Sequence, residues 1–381
     1  MGVNSYSEQI DIDNTYRLRM LISTLPPYAK DYFRGIQPHT ESRTRIAYAY
    51  DLNVFFSYLH ENNPIFAQKE IRDITLDDLE KLRPTDIEEY LEYLQAYTDP
   101  QNEGSNNTKT NHELGLKRKL ASLRSFYRYF IQHEDIMYNP VDLVTMPKVH
   151  DKAITRLDID EVALLLDQAE SGDKLSEREQ RFHDRTKLRD VALLTLMLGT
   201  GIRVSECVGL NIDDVDFKND GIRIHRKGGK EVVVYFGDEV ENALLSYIEE
   251  RKKTEAVAGH EEALFLSLQK KRISVRAVEK LVKKYAQTVT TVKHITPHKL
   301  RSTYGTNLYR ETGDIYLVAD VLGHNDVNTT KKHYAALEDD RRRGARNAVK
   351  LRDREKSKKK ILDKVRKIAL YNIKLNSFFD L

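Results

Sequence analysis

The sequence predicts a mainly α-helical protein of two domains, the second of which also holds a small three-stranded antiparallel sheet. Three observations lead there. Apolar residues recur at helical spacing through much of the chain, strand-like runs are confined to residues 213–236, and 381 residues suit two or three separate cores.

Taken in order, residues 41–61 read as an amphipathic helix, because Ala49, Leu52, Phe56 and Leu59 follow at intervals of three, four and three. An acidic helix, "PTDIEEYLEYLQAY", comes next, and then a polar loop, "TDPQNEGSNNTKT". In "HELGLKRKLASLRSFYRYFIQ" the residues Leu116, Leu120, Leu123, Tyr127 and Phe130 make one apolar face. Lys117, Arg118, Lys119, Arg124 and Arg128 occupy the other faces. Two prolines in "YNPVDLVTMPKV" disfavour any continuation of helix. The first domain is therefore expected over 1–148, with a linker at 149–157.

From residue 158 the pattern changes. Helices are expected at about 158–170 and 184–199, followed by the strands "DDVDF", "GIRIHR" and "EVVVYF". Asn219-Asp220-Gly221 turns the first strand into the second, and Lys227-Gly228-Gly229-Lys230 turns the second into the third. Helices resume from Asp238. This second domain is expected over 158–345, with a basic extension at 346–381.

Composition excludes several classes. A single cysteine, Cys207, permits no internal disulfide framework and no cysteine-rich zinc site. The longest apolar run, "VALLTLML", is far too short to span a bilayer. The N-terminus, "MGVNSYSEQIDIDNTYRL", is too polar and too acidic for a signal peptide. A cytoplasmic protein with no membrane partner is expected. The net charge of +3 conceals an uneven distribution: residues 340–367 hold fourteen Lys/Arg against four Asp/Glu, leaving −7 for the remainder. Such a stretch is either a solvated face or a contact for a polyanion.

The residues able to do chemistry cluster late in the chain. In "TPHKLRSTYGTNLY", Thr296 suits an N-cap and Pro297 the first helical position, so His298 and Arg301 share a face of the first turn. The bare N–H groups of that turn favour an anion. Alone, this is also what a capped surface helix looks like. "GTGIRVSE" sets Arg203 just beyond a helix end, where it can simply pair with Glu206 at i+3. Lys227 and Lys230 flank a Gly-Gly turn, a common place for solvated cations. Gly323 is a helix terminator beside His324, and a further helix is expected to carry Tyr334, one of 21 tyrosines. A phenol, with a pKa of about 10, needs cationic surroundings or a nearby base to become a nucleophile.

Other chemistries fit less well. Asp213, Asp214 and Asp216 alternate along a strand, so their carboxylates point to opposite faces. Ser205 lacks a Gly-x-Ser-x-Gly elbow, no Walker loop is present, and His324 and His333 lack a third zinc ligand at suitable spacing. No metal and no cofactor are expected.

In order and combination these residues resemble the tyrosine site-specific recombinases, the phage integrase family. That family reads Arg, Lys, His-x-x-Arg, His or Trp, then Tyr. Here the series is Arg203 in "GTGIRVSE", Lys227 in "RKGGK", His298 and Arg301 in "HKLR", His324 in "LGH" and Tyr334 in "TTKKHY". The resemblance spans roughly residues 40–336. It implies a helical, SAM-like core-binding domain that clamps DNA, and a catalytic domain that cleaves and rejoins strands through a 3′-phosphotyrosine. By the same resemblance Arg203, Arg301 and His324 hold the scissile phosphate, Tyr334 attacks, Lys227 serves as general acid and His298 as base. The implied partners are double-stranded DNA with a short inverted-repeat site and a homotetramer on two duplexes joined through a Holliday junction, with room for an accessory protein.

The opening "LPPYAKDYFRGIQPHTESRTRIAYAYDLNVFFSYL" is similar to single-component Xer recombinases of Gram-positive bacteria. Ser302 stands where the "HxLRH" form has His, and Ala-Ala follows Tyr334 where Thr-His is common. Both departures loosen the assignment to chromosome dimer resolution, which the Xer likeness still favours, with mobile-element integration or excision as the alternative. A type IB topoisomerase and a non-catalytic DNA binder are more distant readings. Arg43, Arg45, Lys109, Lys117, Arg118, Lys119, Arg124, Lys230 and Lys299 are the expected DNA-contacting cations.

Overall fold

The computed structural model describes residues 6–98, 108–148, 150, 155–226, 229–324 and 326–327. They belong to two compact units that divide between residues 153 and 154.

The first unit is helical. Helix α1 (Tyr6–Ile22) leads to α2 (Ala29–Gly35) and the long α3 (Ser42–Asn62). Short helices α4 (Leu76–Glu80) and α5 (Pro84–Tyr93) precede a minimal hairpin, β1 (Tyr97–Thr98) with β2 (Thr108–Lys109), and then α6 (Glu113–Gln132). The spacing argument for α3 holds residue by residue, since Ala49, Leu52, Phe56 and Leu59 are wholly buried. Across from them α6 contributes Leu120, Leu123, Tyr127 and Phe130. Phe126 stands at the centre, its ring 5.1 Å from those of Tyr32 and Phe130 and 6.1 Å from that of Phe56, all near edge-to-face.

Besides the short α2 and α4, helix α1 and the β1–β2 pair were not expected. Helix α1 buries only Leu21 and Ile22 at its C-terminal end, so its sequence carries little amphipathic signal. The β1–β2 pair is two residues per strand, with Tyr97 opposite Lys109; Tyr97 was read as the end of the acidic helix, which stops at Tyr93, and the other three residues as loop.

The second unit opens with α7 (Ile159–Ser171) and α8 (Glu177–Thr200). Helix α8 starts seven residues before its expected beginning at 184. Ser176 and Glu179 form a capping box there, with the Ser176 N–H and hydroxyl donating to Oε2 at 3.0 and 2.6 Å. Its C-terminal half, including Leu193, Leu194, Leu196 and Met197, is buried and forms the spine of the unit. Helices α10 (Asp238–Lys252) and α12 (Pro297–Thr312) pack along it, and α11 (Val275–Val289) lies on α7. Between α8 and α10 come the short α9 (Val204–Gly209) and the sheet β3 (Val215–Asp216), β4 (Gly221–His225) and β5 (Glu231–Tyr235). The three strands run antiparallel in that order; β4 and β5 lie where expected, while the first strand is cut to Val215–Asp216 because residues 212–214, Asp213 and Asp214 included, form a 3-10 turn. Helix α13 (Ile315–Leu322) packs on α12 through Val318, Leu322 and Tyr309.

Deep in this unit Asp190 is 1% exposed and receives Arg189, Thr186, Lys284 and Tyr285. That network ties α8 to α11. Among the described residues no helix is long and apolar enough to cross a membrane.

Candidate active site

The site is assembled at the C-terminal end of α13. Gly323 has φ +61°, a left-handed conformation that glycine adopts without the Cβ penalty. Its N–H donates to the Asp320 carbonyl at 2.8 Å, and the His324 N–H to the Ala319 carbonyl at 2.9 Å. This pair of bonds is a Schellman motif, and it places His324 directly after the capping glycine.

Three carbonyls of the last turn still need donors, and an arginine takes each. The Val321 carbonyl accepts from Arg226 Nη2 at 2.7 Å, the Leu322 carbonyl from Arg301 Nη2, and the Gly323 carbonyl from Arg203 Nη2 at 3.1 Å. The sequence separates these arginines by as much as 98 positions, and α13 gathers them.

Each guanidinium has a second anchor. Arg301, 4% exposed on the first turn of α12, donates Nη1 to the Gly201 carbonyl at 2.6 Å. Gly201 closes α8 with φ +65°. Arg203 begins α9, and the buried Glu206 carboxylate accepts both its backbone N–H at 2.7 Å and its Nη1 at 2.8 Å. The i+3 pairing read from the sequence is thus present, and it orients Arg203 toward α13. Arg226 reaches the Asp320 carbonyl at 3.3 Å as well. Permanent cations at a helix C-terminus are favourably placed against the dipole. With both guanidiniums oriented by protein acceptors in advance, an oxyanion arriving there meets donors that need not reorganise.

His298 lies on the same first turn as Arg301 but is exposed where Arg301 is buried. Thr296 occupies the N-cap position as expected, without a side-chain capping bond. His324 is half-buried. The structure therefore brings Arg203, Arg301 and His324 to one helix end and sets His298 on the helix that carries Arg301. Lys227 and Tyr334 lie outside the described residues, as do the basic stretch 340–367 and the extension 346–381.

The expected DNA-contacting cations divide. Arg43, Lys109, Lys117 and Lys230 are exposed, and Lys299 is half-buried. The others are engaged within the first unit. Arg118 forms a two-point pair with Asp51, and Lys119, 5% exposed, donates to the same carboxylate at 3.0 Å. Arg124 donates to the carbonyls of Val141 and Val144, and Arg45 to those of Gln37 and Thr40. A helical spacing of cations could not distinguish these from solvated ones, because their acceptors are carbonyls and a carboxylate brought in by tertiary packing.

Sequence reasoning missed Arg226 and treated Glu206 only as a surface partner. Both have a signal in hindsight: Arg226 directly precedes Lys227, and Glu206 sits at the third helical position after Arg203. Among the described residues no three His, Cys, Asp or Glu side chains gather as a metal site.

Residues 155–341 match the phage integrase family. A tyrosine recombinase XerC of Syntrophus aciditrophicus (strain SB) is 30% identical over 309 residues, covering 80% of this chain and 91% of the relative. The chain belongs to the phage integrase family of tyrosine recombinases, enzymes of site-specific DNA cleavage and rejoining. Among its relatives is also a tyrosine recombinase XerS of Lactococcus lactis subsp. cremoris (strain MG1363), 28% identical over 342 residues, covering 82% of this chain and 92% of that one. Two solved structures share the fold. One is the XerH recombinase bound to palindromic difH substrate in a post-cleavage complex, with TM-score 0.57, 19% identity and coverage of 81% and 80%. The other is a lambda integrase dimer bound to a COC′ core site, with TM-score 0.56, 16% identity and coverage of 80% and 93%.

Proposed function

We propose that this recombinase resolves chromosome dimers in the manner of the Xer enzymes, and that Arg203, Lys227, His298, Arg301, His324 and Tyr334 are its catalytic residues. The observation that supports this best is the convergence of Arg203 and Arg301 on the two carbonyls that directly precede His324. Two guanidiniums and an imidazole at one point suit a phosphodiester, whose non-bridging oxygens gain charge as the nucleophile adds.

In the proposed reaction the Tyr334 oxygen bonds to phosphorus as the bond to the 5′ oxygen breaks. His298 takes the phenol proton, and Lys227 gives a proton to the departing oxygen. The phosphotyrosine keeps the energy of the diester, so the 5′-hydroxyl of a second duplex reverses the step without ATP. The first unit supplies the DNA clamp. Arg43, Lys109, Lys117, Lys230 and Lys299 contact DNA, while Arg45, Arg118, Lys119 and Arg124 serve the packing beneath. The active assembly is a homotetramer on two duplexes carrying a short inverted-repeat site, working in the cytoplasm.

Covalent capture tests the reading. Wild-type protein and Tyr334→Phe are mixed with sheared host DNA in EDTA and denatured, and the DNA left on protein is sequenced. A Tyr334-dependent adduct at one inverted-repeat site near the replication terminus is expected. Adducts at the ends of mobile elements would move the assignment to an integrase, and DNA binding with no adduct would overturn the catalytic one.

A further inference from the structure

Three arginines, not two, close the end of α13, and the third has no place in the catalytic set. Arg226 is the last described residue of the β4 side of its hairpin, with its own N–H donating to the Lys230 carbonyl at 2.8 Å. Its guanidinium crosses to α13, taking the Val321 carbonyl at 2.7 Å and the Asp320 carbonyl at 3.3 Å. Nε finds no acceptor among the described residues. Among the described residues the two carbonyl bonds hold the group in place.

Gly323 makes room for it. A Cβ built there would stand 2.1 Å from Arg226 Nη1 and 2.4 Å from Cζ. The glycine thus has two duties: it adopts the left-handed cap, and it leaves the volume that the guanidinium occupies. The carbonyls of residues 320 and 321 directly precede those of 322 and 323, which Arg301 and Arg203 hold. A helix end frays when its last carbonyls lack donors. Fraying here would shift the acceptors that orient Arg301 and Arg203, and with them His324.

We propose that Arg226 is a positioning residue of the phosphate site: it pins the last turn of α13 so that Arg203, Arg301 and His324 keep the spacing of a phosphate's oxygens. This rests on the catalytic reading above, and extends it to a residue outside the family's motif. Its action is on the clamp and not on the leaving group. The defect of an Arg226 variant must then depend on the negative charge of the scissile group.

The test uses the full chain and a nicked duplex of the captured site, carrying at the scissile position either a phosphodiester or a neutral methylphosphonate. The rate of covalent adduct formation is compared with wild type on each substrate. Arg226→Ala should slow cleavage of the phosphodiester about 100-fold, the scale of an ångström-sized misplacement, and lose much less on the methylphosphonate, which has no charge to clamp. Arg226→Lys, which keeps one cation in reach of a carbonyl, should fall between, and it replaces the alanine form should that fail to fold. Equal losses on both substrates, or no loss on the phosphodiester, would overturn the inference. Arg301→Ala runs in parallel: if it cleaves the phosphodiester as wild type does, the catalytic reading itself fails, independently of Arg226.

Discussion

Several arginines of this chain donate to backbone carbonyls. Arg251, 4% exposed, bonds the carbonyls of Ala263, Thr254 and Glu261, and Arg272 those of Val208 and Leu210. Arg203 and Arg301 use the same device, with five N–H groups in a rigid fork reaching several acceptors at once. Among the buried carboxylates Asp78 gives a testable case. It is 3% exposed, and its burial would raise its pKa. Bonds from Lys69 at 2.5 Å, from Thr75 and from Lys81 at 3.0 Å outweigh that and hold the carboxyl far below the usual range. The unfolded carboxyl titrates near 3.9. A depressed folded pKa means that the stabilisation is complete above about pH 4 and drains away as pH falls toward the folded value. Asp78→Asn should therefore lose about 1–3 kcal/mol at neutral pH, toward the low end because the Lys81 ammonium is largely solvated. The variant's stability should vary less than the wild type's between pH 5 and 2, measured by urea unfolding across that range.

At the scale of elements, helix ends do the positioning. The left-handed glycines at 201 and 323 stop α8 and α13 within reach of one side chain, Arg301, which bridges their terminal carbonyls. Gly201 also sits against neighbours: a Cβ there would lie 2.4 Å from Tyr304 Cδ1 and 2.9 Å from Leu322 Cδ2. Gly201→Ala should cost about 1–2 kcal/mol from backbone handedness alone, with the clash against α12 and α13 in addition. Because the displaced groups are the acceptor of Arg301 and its neighbours, adduct formation at a temperature where the variant stays folded should fall by more than site occupancy does. Equal falls in both would show that Gly201 matters only for folding.

For the whole molecule, the consequence is two separately cored units on one chain. The first has a continuous aromatic and aliphatic core from Leu21 to Val144, and the second is built around α8. Units with their own cores unfold as separate cooperative steps when little couples them. Cys207 provides a reporter confined to the second: it is wholly buried, and burial pushes its thiol well above the ordinary range. In rising urea, far-UV circular dichroism should show two transitions, and labelling of Cys207 by a thiol reagent should follow one of them alone. A single transition shared by both probes would refute the two-step picture.

The linear order of residues determined much on its own. The α3 face came from local periodicity, the strands from runs of β-branched residues between turn signals, and Gly323 and Pro297 from backbone geometry that only those residues favour. The family was readable because its side chains recur in a set order with set neighbours. Signals that depend on next-neighbour chemistry survive in a string of letters. The early start of α8 was hidden because its first turns are charged, although Ser176 and Glu179 announce it; α1 was hidden because almost none of it is buried. What only the tertiary structure decided is where each cation's acceptor lies. Lys119 and Lys117 look alike in sequence, yet one meets Asp51 inside the unit and the other faces outward. Arg226 stands beside Lys227 in the hairpin, and only the packing of α13 brings the Asp320 and Val321 carbonyls to it. Hydrogen bonds act over about 3 Å in space, and separation along the chain says nothing of that distance.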